Sequence, residues 1–169
     1  MLKRSSATWW PEAWFNMPFP KESIQLIARV IRKQGWIELP ARGTSMYPWI
    51  KKGDVCRFVD AEAANIRKGD ILLYHTPYGS MVAHRFCRLE TGKQDREHRY
   101  VCKGDSNLAA DEPITRDQLL GKMVWTERNG RIIPATGLVA AIWGRTILAV
   151  PLFSLFVRMY LNRRESKLG

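Results

Sequence analysis

The sequence predicts a mostly β protein of the α+β class. Its centre reads as a curled, barrel-like β domain, with an N-terminal amphipathic helix before it and a C-terminal hydrophobic helix after it. Three observations carry that expectation. Residues 36–133 break into short β-prone runs between turn signals. Residues 22–34 instead repeat apolar side chains every three or four positions. Residues 137–157 form an apolar stretch of near-bilayer length. At 169 residues the chain suits one domain with its own core, and 46% hydrophobic against 25% charged residues excludes a disordered chain.

The elements follow in order. Residues 1–35 hold an aromatic, proline-rich segment and then the amphipathic helix. Trp9, Trp10, Pro11, Trp14, Phe15, Pro18, Phe19 and Pro20 offer little regular structure. Their aromatics fit either packing on the domain or a membrane interface. Lys3 and Arg4 are not followed by an apolar run, so no signal peptide is expected. From Glu22 to Gln34, Ile24, Ile27, Val30 and Ile31 share one face, with Arg29, Arg32 and Lys33 on others, and Gly35 is the stop. Residues 36–133 are the expected β domain, with strands near 36–40, 54–60, 70–76, 80–90, 98–104 and 121–127. Lys-Gly-Asp recurs at 52–54, 68–70 and 103–105, each time at a strand edge. Tyr78-Gly79 and Asn129-Gly130 read as turns, and residues 111–120 as a short helix.

Residues 134–169 form the membrane-associating segment. Gly137 to Val157 holds 15 apolar residues out of 21, enough length to span a bilayer as one helix. Arg145 within it costs about 2.5–3.5 kcal/mol on insertion, and Pro151 interrupts it. The segment therefore reads as a tilted or broken span, or as a helix lying on the bilayer or buried. Arg158, Arg163, Arg164 and Lys167 would keep its C-terminal end in the cytoplasm. This places the protein at a membrane, expected to be the bacterial cytoplasmic membrane, with the side of the β domain left open.

The formal charge is +11, from 27 Lys and Arg against 16 Asp and Glu. Residues 1–35 contribute +4 and residues 128–169 contribute +6, so the middle is almost neutral. A nucleic-acid reader concentrates its charge on the folded recognition surface, so no nucleic-acid partner is expected. Cys56, Cys87 and Cys102 are an odd set with no CxxC spacing. They suggest buried apolar side chains rather than a disulfide framework, and no metal or cofactor is expected.

Ser45 lies in Gly43-Thr44-Ser45-Met46-Tyr47-Pro48, between two expected strands. A serine hydroxyl becomes a nucleophile when a base takes its proton and backbone N–H groups face the developing oxyanion. Gly43 allows close backbone approach, and Pro48 stiffens the exit. His84 is the candidate base, alternating onto the inner face with Val82 and Phe86. His75 and His98 are weaker candidates. Asp105 and Asp111, in the run from Lys103 to Glu112, are candidates for the acid that orients the imidazole.

These blocks resemble the signal peptidase I superfamily in order and spacing. The likeness runs from Gly43-Thr44-Ser45-Met46-Tyr47-Pro48 through Gly53-Asp54, then Gly69-Asp70 with Val82-Ala83-His84-Arg85, then Lys103-Gly104-Asp105-x-Asn107 with Asp111. It covers about residues 40–125 and is nearest to the endoplasmic-reticulum-type branch, which has histidine where typical bacterial enzymes and LexA-like proteases have lysine. The resemblance implies a LexA/signal peptidase fold and a serine endopeptidase that cleaves signal or leader peptides after small residues. It implies Ser45 as nucleophile, His84 as general base, Asp111 as triad acid and Asp105 as a second acidic residue of the site. Gly43, Thr44 and Met46 would border the bound polypeptide substrate. One departure is Gly43, where that branch has a hydroxyl residue, so a side-chain oxyanion donor is missing unless Thr44 substitutes. The other is topological, since relatives carry an N-terminal membrane anchor and none is read in residues 1–136. Two other readings are a LexA-like self-cleaving protease and a non-catalytic, membrane-associated binding module on the same fold.

Overall fold

A computed structural model describes residues 21–62, 64–92 and 97–165. The aromatic segment expected before Lys21 lies outside the described residues. Helix α1 (Lys21–Gln34) is followed by strands β1 (Trp36–Pro40), β2 (Val55–Asp60), β3 (Ile71–His75), β4 (Met81–Thr91) and β5 (His98–Lys103). A 3-10 turn (Arg116–Gln118) leads into β6 (Leu119–Arg128), β7 (Arg131–Pro134), α2 (Leu138–Ala149) and α3 (Pro151–Glu165). The protein is thus an antiparallel β sheet with a few helices, broadly α+β as expected.

The strand order is β1-β2-β6-β3-β4-β5, and β7 pairs with β6 outside that path. The sheet is open, because β1 and β5 end the order without pairing to each other. The expected barrel-like closure is therefore not what forms. Bulges at Arg57/Phe58, Leu73/Tyr74 and Phe86/Arg88 curl the sheet. An apolar helix face then covers what a closing strand would have covered. Ile24 and Ile31 of α1 pack with Met46, Ile50, Phe58, Ile71, Leu73 and Met123. The other face of β3 buries Leu72 and Tyr74 with Phe86, Tyr100, Cys102 and Ile114. So β3 is buried on both faces, which is why it reads as a continuous apolar run.

The expected helix over 111–120 does not form. Asp111 N–H donates to Cys102 O, and Tyr100 and Ile114 exchange backbone hydrogen bonds at 2.7 and 3.0 Å. The segment runs extended beside β5, and Pro113 lies within it, so only the 3-10 turn at Arg116–Gln118 remains. Leu119 and Leu120 already belong to β6.

The three Lys-Gly-Asp blocks share an architectural role. Gly53 and Gly69 take φ of +91° and +96°, which closes a tight turn before β2 and before β3. Asp54 pairs with Arg128 at 2.6 Å, and Asp70 pairs with Lys122 at 2.8 Å. Asp105 pairs with Arg85 through two hydrogen bonds of 2.8 and 2.7 Å. Each aspartate therefore ties its turn to a basic residue on a strand.

The C-terminal stretch is two helices rather than one. Pro151 occupies the first position of α3, where its missing N–H costs nothing, and α2 ends before it. Leu138–Ala149 and Leu152–Arg163 meet at 94°, and no single helix among the described residues is long and apolar enough to cross a membrane. One side of the pair docks on the β domain. Trp143 Nε1–H donates to Asp105 at 2.9 Å, and Lys103 Nζ donates to the buried Ser154 Oγ at 2.9 Å. At Gly144 any Cβ would lie 3.1 Å from Arg85 Nη1, so glycine allows α2 to approach the buried guanidinium closely.

Candidate active site

Ser45 sits in the turn that connects β1 to β2. Its neighbour Met46 points into the core, only 4% exposed, and anchors the turn rather than facing a substrate. Tyr47 N–H donates to Thr44 O at 3.0 Å, and Ile50 N–H to Met46 O at 2.9 Å. The turn is held from the other side by the segment after β5. Ser106 N–H donates to Ser45 O at 2.8 Å, and Ser106 Oγ donates to Thr44 O at 3.1 Å. Gly104 makes that approach possible, since a Cβ there would lie 2.9 Å from Ser45 O and 2.8 Å from Asn107 Nδ2.

His84 lies on β4 opposite Leu72, on the face that also carries Tyr74 and Phe86. The inward orientation read from strand alternation holds. His84 Nε2 is 2.9 Å from Ser45 Oγ, and His84 Nδ1 is 2.6 Å from Asp111 Oδ2. With a carboxylate at Nδ1, the proton of the neutral ring resides there. Nε2 then presents its lone pair to the serine hydroxyl. His84 is 8% exposed by side chain and Asp111 25%, so the acid is only partly shielded from water.

Tyr74 is the residue that sequence reasoning missed. Its hydroxyl donates to Asp111 Oδ2 at 2.8 Å and stands 3.4 Å from His84 Nδ1. Burial, and then the hydrogen bond to Asp111, push the phenol far above its ordinary value, so it remains a donor. The carboxylate is thereby fixed by two donors, the imidazole and the phenol. The signal in the sequence was weak, because a tyrosine in an apolar strand reads as core.

Asp105 takes a different place from the one expected. It is 1% exposed, and its carboxylate is spent on Arg85 and Trp143. Arg85, also 1% exposed, donates in addition to Gly69 O at 2.8 Å. Asp105 makes no hydrogen bond to Ser45 or His84 among the described contacts. It supports the turn that carries Ser106 and Asn107. His75 and His98 lie elsewhere: His75 Nδ1 is 3.4 Å from Thr76 O, and His98 is exposed at the start of β5.

The surface in front of Ser45 is a cleft of ≈ 370 Å³. Gly43, Thr44 and Ser45 form one wall, Ser106 and Asn107 a second, and Arg158, Leu161 and Asn162 of α3 a third. At Gly43, a Cβ would lie 3.9 Å from Ser45 N and 4.0 Å from its Oγ, so the missing hydroxyl at this position leaves space beside the nucleophile. The thiols offer no rival nucleophile near neutral pH. Burial pushes Cys56 up to about 11 and raises Cys87 and Cys102 as well. Among the described residues, no group of three or more His, Cys, Asp or Glu side chains is placed to hold a metal ion.

A hydroxyl, an imidazole and a carboxylate in one hydrogen-bonded line are the parts needed for nucleophilic acyl transfer. The chain matches no protein-family model and no curated protein. The functional reading therefore rests on the geometry and on the motifs that the residues carry.

Proposed function

We propose that this protein is a serine endopeptidase of signal peptidase I type, which cleaves signal or leader peptides after small residues. The observation that carries the reading is the line from Ser45 Oγ to His84 Nε2 and from His84 Nδ1 to Asp111 Oδ2, at 2.9 and 2.6 Å. Ser45 Oγ attacks the scissile carbonyl carbon while His84 Nε2 takes its proton. The oxyanion is met by the N–H of Ser45, with the Thr44 hydroxyl and the Asn107 amide as neutral donors lining the same cleft. Collapse breaks the C–N bond, and the leaving amine takes the proton from His84. Water then attacks the Ser45 ester, again deprotonated by His84, and the acid product leaves with Ser45 restored.

The choice of histidine suits this setting. A lysine base must be kept neutral by strong desolvation, whereas imidazole is largely neutral near pH 7. A site whose carboxylate stays partly exposed therefore remains compatible with base catalysis.

The substrate would be met at a membrane surface. On α3, Leu152, Phe156 and Met159 are exposed on the side away from the β domain, with Arg163. On α2, Leu138, Val139 and Ile142 are exposed, with Arg145. Apolar side chains bordered by cations suit the headgroup region of an anionic bilayer. The purified protein should float with vesicles containing phosphatidylglycerol, and Phe156→Asp with Leu152→Asp should sink. Equal flotation of the two proteins would exclude this face as the contact.

Activity is tested with purified protein, detergent and a precursor containing an Ala-x-Ala site. Cleavage after the second alanine is expected, together with its loss in Ser45→Ala. A Ser45→Ala protein of full activity would overturn the reading.

A further inference from the structure

The third wall of the cleft comes from the C-terminal helix, which the motifs do not include. On α3, Ser154, Arg158, Leu161 and Asn162 follow helical spacing and share one side. Ser154 and Leu161 on that side are buried against the β domain. Two contacts fix the helix there: Lys103 donates to Ser154, and Tyr160 stacks on Tyr47 with ring centroids 5.7 Å apart. Tyr47 lies two residues after Ser45, so α3 is held directly to the turn that carries the nucleophile.

Arg158 is placed between the two buried residues, yet it is exposed, because it stands over the open cleft instead of over the sheet. Among the described residues it is the only Lys, Arg, His, Asp or Glu lining that cleft, and the other polar side chains there are neutral hydroxyls and amides. No ion pair of Arg158 occurs among the described residues. Its side of α3 is opposite the one that exposes Leu152, Phe156 and Met159. The guanidinium therefore faces the substrate cleft and not the apolar exterior.

We infer that Arg158 selects substrates carrying an acidic side chain close to the scissile bond. A single cation in a cleft of neutral donors raises the local concentration of anionic peptide and repels a basic one. The inference rests on the peptidase reading of Ser45, so its test keeps the two apart. Quenched-fluorescence peptides with an Ala-x-Ala site are scanned with Asp, Asn or Lys at each flanking position, in lipid-free detergent buffer. Separately, labelling of Ser45 by a neutral fluorophosphonate is timed.

At one flanking position, the Asp peptide should exceed the Asn peptide in kcat/KM by about threefold, and the Lys peptide by about tenfold, as for an exposed charge pair. Arg158→Glu should invert that order. Arg158→Gln should flatten it. Equal kcat/KM for the Asp, Asn and Lys peptides at every position, with Ser45 still labelled, would overturn the role of Arg158 alone. This flat outcome is also the one expected if the guanidinium serves a lipid phosphate. Failure of the wild type to label at Ser45 would overturn the peptidase reading and the inference with it.

Discussion

Asp111→Asn should lower kcat for peptide cleavage by on the order of 10⁴-fold while the protein stays folded. The carboxylate accepts from both His84 Nδ1 and the Tyr74 hydroxyl through the same oxygen, Oδ2. An asparagine with its carbonyl oxygen at that position can still accept from both donors, but it carries no charge. The imidazolium formed during attack on the substrate then has no counter-charge, which is the loss that removing the acid of such a triad produces. Tyr74→Phe provides the graded comparison. It keeps the carboxylate but removes one of its two donors, and a loss of about tenfold in kcat/KM is expected, the scale of one charge-assisted hydrogen bond. An unchanged kcat/KM in Tyr74→Phe would assign that residue to packing alone.

Asp105→Ala should be the most destabilising of the site substitutions, by about 3–5 kcal/mol, because it leaves the Arg85 guanidinium buried without its counter-charge. Arg85 and Asp105 are each 1% exposed, so water cannot replace the lost partner. Trp143 loses its acceptor at the same time, and with it one tie between α2 and the β domain. Urea denaturation should show the midpoint falling by a large fraction of total stability, which is only about 5–15 kcal/mol for an ordinary domain. Replacing both partners, Arg85→Met with Asp105→Leu, should recover much of the loss, since an apolar pair leaves no unpaired charge. A different outcome would restore the role implied by the resemblance. If Asp105→Ala melts like the wild type and yet loses cleavage, Asp105 belongs to the reacting groups after all.

Much of this arrangement was legible from the chain, and the reasons are local. Strand limits followed from turn chemistry, as at Gly53, Gly69 and Asn129-Gly130, where backbone with positive φ marks the edges. His84 was readable as inward-facing because alternation is a property of the strand itself. What was not legible depends on contacts between distant segments. The extended path of Asp111 to Ile114 is imposed by β5, whose backbone groups at Tyr100 and Cys102 take the hydrogen bonds a helix would have used internally. Tyr74 and Asp111 are 37 positions apart, and nothing in either neighbourhood announces their pairing. Asp105 looked like a site acid because the resemblance places a second acidic residue there. The same Lys-Gly-Asp sequence at Asp54 and Asp70 held the better signal, since all three aspartates end in ion pairs with strand residues. Pro151 in the apolar stretch 137–157 offered a break as one of several readings, and the two helices that form meet there. The inner contacts of the stretch, through Trp143 and Ser154, depend on polar groups that a hydropathy count passes over.

The central claim is that Ser45 is a nucleophile activated by His84. Intact-mass and peptide-mapping measurements after reaction with a fluorophosphonate test it most directly. One adduct per chain is expected, located on Ser45, absent in Ser45→Ala and formed at least a hundredfold more slowly in His84→Ala, within the range assigned to general base catalysis. An unlabelled Ser45, or labelling at an unchanged rate once His84 is removed, would contradict it.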